Sequence, residues 1–279
     1  MKYALGNMLD GIGVTGLDPN AKSYIDAVVA AGATVTATQR NAINAFVKTE
    51  KAGSRWTMQK RLYLPIWGVA APNAIDMVGL TSGSFVGGVT HTAGYVTSNG
   101  TSGHFLSDVS PGGAGCTLNG TGVHALYTAA ALLSLTDSIR FFGAQTISAL
   151  TRTATGGRGA TTRFLTIGPN SNGFFTPFAL GDQRGVQFLG RSSSIARFFL
   201  LRTSALLTDL QTDASVTLNS TVPMCWLANN NNGTVGSYVS SVARLGAAGM
   251  TDGMSQANAE AFTINLKTLW ETCTGLTLP

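Results

Sequence analysis

From Arg61 through Ala259 the chain contains no lysine and no glutamate. These two residues normally coat a folded domain, because their long charged side chains stay hydrated and resist burial. Here that coat must come from Thr, Ser, Asn and Gly, with arginine as the only strong cation. Threonine suits a pleated sheet, and Asn, Gly and Ser suit turns. The same gap removes glutamate as acid, base, nucleophile or metal ligand over most of the chain. The middle of the sequence therefore reads as a β-rich body of low charge with little catalytic equipment.

The chain has 279 residues, enough for one large sandwich or a sandwich with a small helical unit. Hydrophobic residues make up 44% and charged residues only 11%, against an average of about 25% charged. Such a neutral surface is poorly protected against association, so much of it is expected to be covered by other subunits. The alternative is a monomer solubilised by hydroxyls and amides. Up to Ala70 there are eight basic and four acidic residues, and after it ten basic and nine acidic, which gives the net +5. That balance is too weak and dispersed for a nucleic-acid groove. One local excess lies between Arg140 and Arg202, where eight arginines accompany a single acid, Asp182. It reads as outward-facing strand residues, or else as a basic face for an acidic partner. Cys116, Cys225 and Cys273 are odd in number and match no zinc spacing, so they are expected to be reduced and buried. The opening MKYALGNMLDGIG lacks a secretory apolar stretch. No run approaches the about 20 apolar residues of a membrane helix.

The first segment carries helix punctuation. Asp18-Pro19 supplies a capping oxygen and a proline at the first helical position, predicting a helix to about Ala31 that stops at Gly32. Thr36 with Gln39 has capping-box spacing, followed by Ile43, Phe46 and Val47 on one face and an end at Gly53. A short third helix is expected over Ser54–Arg61, then extended chain from Leu62 to Trp67. At the far end Ser255 caps a helix with Ala259, Phe262, Leu266, Leu269 and Cys273 on one face, closed by Gly275.

From about Ala74 the period changes to short apolar or alternating runs. Strands are expected at Ser84–Thr90, Tyr95–Thr97, His104–Leu106, His124–Ala129, Ile139–Ala144, Arg163–Ile167, Phe174–Ala179, Gly185–Arg191, Ile195–Thr203, Met224–Ala228 and Gly236–Leu245. Four Asn-Gly dipeptides, at 99, 119, 172 and 232, mark hairpins, because a type I′ turn needs positive φ at both central residues. Many strands without alternating helices indicate an antiparallel sandwich or barrel. Ser204–Thr212 reads as a helical turn between strands.

Catalytic constellations are thin. Between Arg61 and Ala259 the carboxylates are Asp76, Asp108, Asp137, Asp182, Asp209, Asp213 and Asp252, and none forms a close alternating pair of the kind glycoside hydrolysis uses. Asp209 and Asp213 lie in what reads as a polar turn. His91, His104 and His124 sit on probable strands near Cys116 and could converge on zinc, but no tight ligand spacing supports that over ordinary strand histidines. No GxSxG elbow occurs. The stretch Gly156-Gly157-Arg158-Gly159-Ala160-Thr161 lacks the Lys-Ser/Thr ending of a P-loop and reads as a turn. Phe141-Phe142, Phe174-Phe175 and Phe198-Phe199 place one ring of each pair in the core and leave the other to stack on a sugar or partner.

Asp18-Pro19-Asn20-Ala21-Lys22-Ser23-Tyr24-Ile25, Ala42-Ile43-Asn44-Ala45-Phe46-Val47, Leu62-Tyr63-Leu64-Pro65-Ile66-Trp67-Gly68, the Asn-Gly-Thr turns, and Met250-Thr251-Asp252 before the last helix together resemble bacteriophage virion structural proteins of Bacteroidetes-type hosts. The resemblance covers nearly the whole chain. It implies a helical front followed by a concanavalin-like (laminin G-like) jelly-roll sandwich and a closing helix. The expected fold is thus mainly β, an antiparallel concanavalin-like sandwich over 71–279 that includes a C-terminal helix at 255–274, with 1–70 as a helical docking segment. The expected role is a non-enzymatic virion component of tail or fibre type, synthesised in the host cytoplasm. A capsid decoration or head-fibre protein and a glycan-binding receptor module are the alternatives. The expected partners are other virion proteins of tail or capsid, further copies of the chain such as a trimer, and a host-surface glycan, without nucleic acid or membrane insertion. No catalytic, metal or cofactor residue and no cofactor is expected, and no ligand-binding residue is assigned.

Overall fold

The structure, a computed structural model, describes residues 16–117, 120–129, 139–145, 152–157, 163–168, 174–175, 184–191, 196–202, 206–212, 221–236 and 243–278. The readings made at the opening MKYALGNMLDGIG, at Asn172-Gly173 and at Asp137, Asp182 and Asp213 lie outside these residues.

In chain order the elements are α1 (Pro19–Ala30), α2 (Ala37–Ala52), β1 (Gln59–Tyr63), α3 (Ala70–Asn73), β2 (Ser84–Val86), β3 (Val89–Thr92), β4 (Tyr95–Ser98), β5 (His104–Leu106), β6 (Gly122–Ala129), β7 (Ile139–Gln145), β8 (Arg152–Gly157), β9 (Arg163–Gly168), β10 (Phe174–Phe175), β11 (Gly185–Arg191), β12 (Ala196–Arg202), β13 (Leu206–Thr212), β14 (Cys225–Trp226), β15 (Asn229–Asn231), β16 (Thr234–Gly236), β17 (Arg244–Thr251) and α4 (Gln256–Thr274). One sheet runs β13-β12-β11-β6-β17-β4-β3, with β1 also paired to β17. The other runs β10-β9-β8-β7-β14-β5-β2, with β15 beside β7 and β16 beside β15. Every described pairing is antiparallel except β15 with β7. The mainly-β antiparallel sandwich expected from the turn and strand pattern is the fold.

The central strands of the first sheet are covered on both faces, and strand alternation sorts their residues. Val123, Tyr127, Leu189, Phe199 and Met250 point toward the second sheet, where they meet Phe105, Phe142 and Trp226. Leu126, Val186, Phe188, Phe198 and Leu200 point the other way, into a second core built with α1, α2 and α4. Phe198 and Phe199 are therefore both buried. At β12 the helical layer leaves no outer face for a stacking ring. The described helices of the first seventy residues share this core with α4 and the sheet. Burial of Phe262, Leu266, Leu269 and Trp270 along α4 contributes about 1.5–3 kcal/mol for each large side chain.

The helix boundaries follow their caps. Asp18 accepts from the Asn20 N–H at 2.9 Å, Thr36 and Gln39 form the reciprocal capping box, and Ser255 accepts from the Asn258 N–H at 3.2 Å. Gly275 ends α4 in the left-handed region at φ 70°. The third helix expected over Ser54–Arg61 is only a 3₁₀ turn at Trp56–Met58, because the chain is drawn into β1 by pairing with β17. Leu206–Thr212 is a full strand on β12 where a helical turn was expected. Asn232 and Gly233 both have positive φ, 50° and 89°, at the β15–β16 hairpin, as the Asn-Gly rule requires.

Candidate functional site

A concave polar surface lies on the helical layer. Helices α2 and α4 run antiparallel. Gln39 Nε2 donates to the Cys273 carbonyl at 3.1 Å near one end, and Asn265 Nδ2 donates to Glu50 Oε1 at 2.6 Å near the other. Phe46 meets Phe262 edge-on with centroids 6.2 Å apart, which holds the buried sides together. On the solvent side Ala42 and Ala45 are too short to fill the seam, and a groove of about 420 Å³ remains. Its floor is Phe46 and Leu269. Its rim carries Thr38, Asn41 and Thr49 from α2 and Asn265, Thr268 and Thr272 from α4. Among the described residues no charged side chain lines it.

One rim group is held in place from below. Glu50 is fully buried and receives Arg55 at two points, Nε to Oε2 at 2.9 Å and Nη2 to Oε1 at 3.1 Å. The carboxylate can then anchor the Asn265 amide N–H. A buried ion pair with well-satisfied oxygens gives a rigid support. The groove went unremarked in the sequence because its walls lie more than two hundred residues apart. The signal available was the short-residue face at 38, 41, 42, 45 and 49 on α2, opposite Ile43 and Val47.

A second polar cluster spans the edge of the sandwich. Arg61 from β1 donates to Asp108 through Nε and Nη2, each at 2.8 Å, and Tyr63 Oη donates to Asp108 Oδ1 at 2.8 Å. Asp76 is fully buried and accepts the N–H groups of Leu62, Val78 and Gly79 at 2.7–3.0 Å. Burial pushes the Asp76 carboxyl up despite those bonds. Burial also works against charge on Asp108, but bonds from Arg61, Tyr63 and Thr81 outweigh it and hold that carboxyl below its ordinary value. Burial, reinforced by Asp108, drives the Tyr63 phenol well above its usual range. With both carboxylates engaged and the phenol locked as a donor, the cluster is a clasp between β1, the 76–81 turn and the chain after β5.

The three histidines do not converge. His91 is on β3, where its Nδ1 lies 3.0 Å from Asn73 Nδ2. His104 is on β5 in the other sheet, with Nδ1 2.8 Å from the Ser102 carbonyl. His124 on β6 is fully buried and faces α4. Among the described residues no group of His, Cys, Asp and Glu is placed to hold a metal ion. All three cysteines are free and buried, and burial lifts the Cys116 and Cys273 thiols to about 12. Arg191, expected on an outward face, is fully buried, and Arg202 reaches Thr263 and the Glu260 carbonyl on α4. Asp209 lies on β13 and not in a turn. Gly156 and Gly157 close β8 where a turn was expected. No described helix is long and apolar enough to cross a membrane.

No protein-family model and no curated protein matches the chain. Solved structures do. Trypanosoma rangeli sialidase in complex with 2,3-difluorosialic acid aligns at 11% identity and TM-score 0.51, over 89% of this chain and 38% of the sialidase. A mutant of that sialidase displaying trans-sialidase activity aligns at 12% and 0.49, over 82% and 39%. Domain 4 of AbnA, a GH43 arabinanase from Geobacillus stearothermophilus solved with arabinotriose, aligns at 11% and 0.42, over 74% and 98%. The chain thus spans about two fifths of the sialidases' length, and at these identities the likeness is one of fold. It nevertheless corrects the expectation that the chain is not an enzyme. That expectation rested on missing carboxylate pairs in a sandwich taken to be purely structural, and the matches at TM-score 0.51 place the fold within sialidase chains.

Proposed function

We propose that this chain is a displayed component of a bacteriophage particle, a tail or fibre-type subunit that assembles with copies of itself and meets the host surface. The observation that carries the reading is the coat of the sandwich. Between Arg61 and Ala259 no lysine or glutamate is available, and exposed positions are residues such as Thr81, Ser82, Ser84, Thr90, Asn99 and Thr101. Short side chains lose little rotamer freedom when a partner covers them, so a neutral hydroxyl-rich face can pack against another subunit at low entropic cost. The resemblance of the helical front and the closing helix to virion proteins supports the same reading. The fold shared with sialidases is compatible with a surface that meets glycans.

Cross-linking of purified phage particles followed by mass spectrometry tests the proposal. Links from this chain to itself and to tail proteins are expected. Links to the major capsid protein would move it to a decoration or head-fibre role, and its absence from purified particles would end the proposal.

A further inference from the structure

The α2–α4 groove has the chemistry of a ligand site. Its volume of about 420 Å³ falls in the range of small-molecule clefts, about 300–1,000 Å³. Phe46 and Leu269 give it an apolar floor, and six hydroxyl or amide side chains rim it. A hydroxyl both donates and accepts, and an amide does one at each end. The rim can therefore satisfy a ligand that itself carries many hydroxyls. Asn265 adds a fixed element, because its N–H is committed to Glu50 and its carbonyl oxygen is left to accept from a ligand. None of the described lining residues carries a charge that would compensate the desolvation of an anionic ligand.

We propose that this groove binds a neutral saccharide, with the apolar face of a sugar ring against Phe46 and Leu269 and its hydroxyls on the threonine and asparagine rim. A helix from a second copy is the less suitable occupant, since it would seat apolar side chains against a rim made of hydroxyls and amides. The inference does not depend on where the chain resides, and it can fail or hold independently of the particle assignment.

Amide NMR titration of the purified chain with maltotriose, cellotriose, N,N′-diacetylchitobiose and 3′-sialyllactose tests it. At least one neutral probe should give saturable shifts confined to α2 and α4, and the sialylated probe should give none there. Ala45→Trp, at an exposed helical position on the groove wall, should fill the groove and weaken binding by at least about 10-fold with an unchanged melting temperature. Thr268→Val, which keeps the shape and removes a hydroxyl, should weaken it less. Three outcomes overturn the inference: no neutral probe giving saturable shifts, shifts that map outside the two helices, or undiminished binding by Ala45→Trp. A concentration-dependent dimer that Ala45→Trp dissolves, without any saccharide response, overturns it as well.

Discussion

Acid should loosen this fold through His124, and the size of the effect follows from its surroundings. The ring is fully buried, stacked near Phe188 at 5.9 Å and met edge-on by Phe262 at 4.8 Å, and neither ring nitrogen has a hydrogen-bond partner. Burial pushes its pKa down to about 3 from the ordinary 6.5. Between those values the unfolded chain takes a proton that the folded chain refuses, so stability falls as pH falls. Each pH unit in that window costs about 1.4 kcal/mol, which makes the loss between neutrality and pH 4.5 about 2.7 kcal/mol. That is a large share of a domain's typical stability of about 5–15 kcal/mol. Carboxylates held below their ordinary values, such as Asp108, also lose stability in acid, so the wild type alone is not diagnostic. Urea denaturation of wild type and His124→Phe at pH 7.5 and 4.5 isolates the histidine. The variant replaces two orphaned nitrogens with apolar atoms, so at pH 7.5 it should be close to wild type or more stable. At pH 4.5 the gap in its favour should widen by about 2–3 kcal/mol. An equal loss of stability in both proteins between the two pH values would refute the reasoning.

Three further outcomes are expected. Glu50→Gln leaves Arg55 buried beside a neutral amide, and chemical denaturation should show a loss of about 3–5 kcal/mol, with the Asn265 support weakened at the same time. Gly249→Ala places a methyl group against the Arg61 carbonyl and the His124 ring, so overpacking should cost about 1–3 kcal/mol or more, read as a lowered melting temperature. Thr36→Ala removes one half of the α2 capping box, and should cost about 1 kcal/mol without altering the remaining circular dichroism.

What was legible in the sequence was what local chemistry decides. Asp18, Thr36, Ser255 and Gly275 mark helix ends because capping oxygens and a left-handed glycine act within a few residues. Asn232-Gly233 marks its hairpin for the same reason. What was illegible depends on partners distant in the chain. The run Arg244–Thr251, rich in alanine and glycine, has weak strand character, yet it forms β17 at the centre of the first sheet. Gly246 lies where Trp270 approaches and Gly249 where His124 approaches, so small residues are required there by packing and not by propensity. Leu206–Thr212 looked helical by itself and is a strand because β12 supplies its ladder. His124 is buried by the helical layer over the sheet, and Arg191 lies on the Leu189 side of β11, the face turned to the second sheet, so both depend on layers that the local sequence does not show. The groove, made by residues 38–49 and 265–272, exists only once α2 and α4 meet.

The reading of the chain as a displayed virion subunit faces its most direct test in an image reconstruction of the intact phage at side-chain resolution. The proposal predicts symmetry-related copies of this sandwich on the exterior of the tail or fibre, with Thr, Ser and Asn side chains filling the contacts between copies. A particle whose density is fully accounted for by other chains would contradict it.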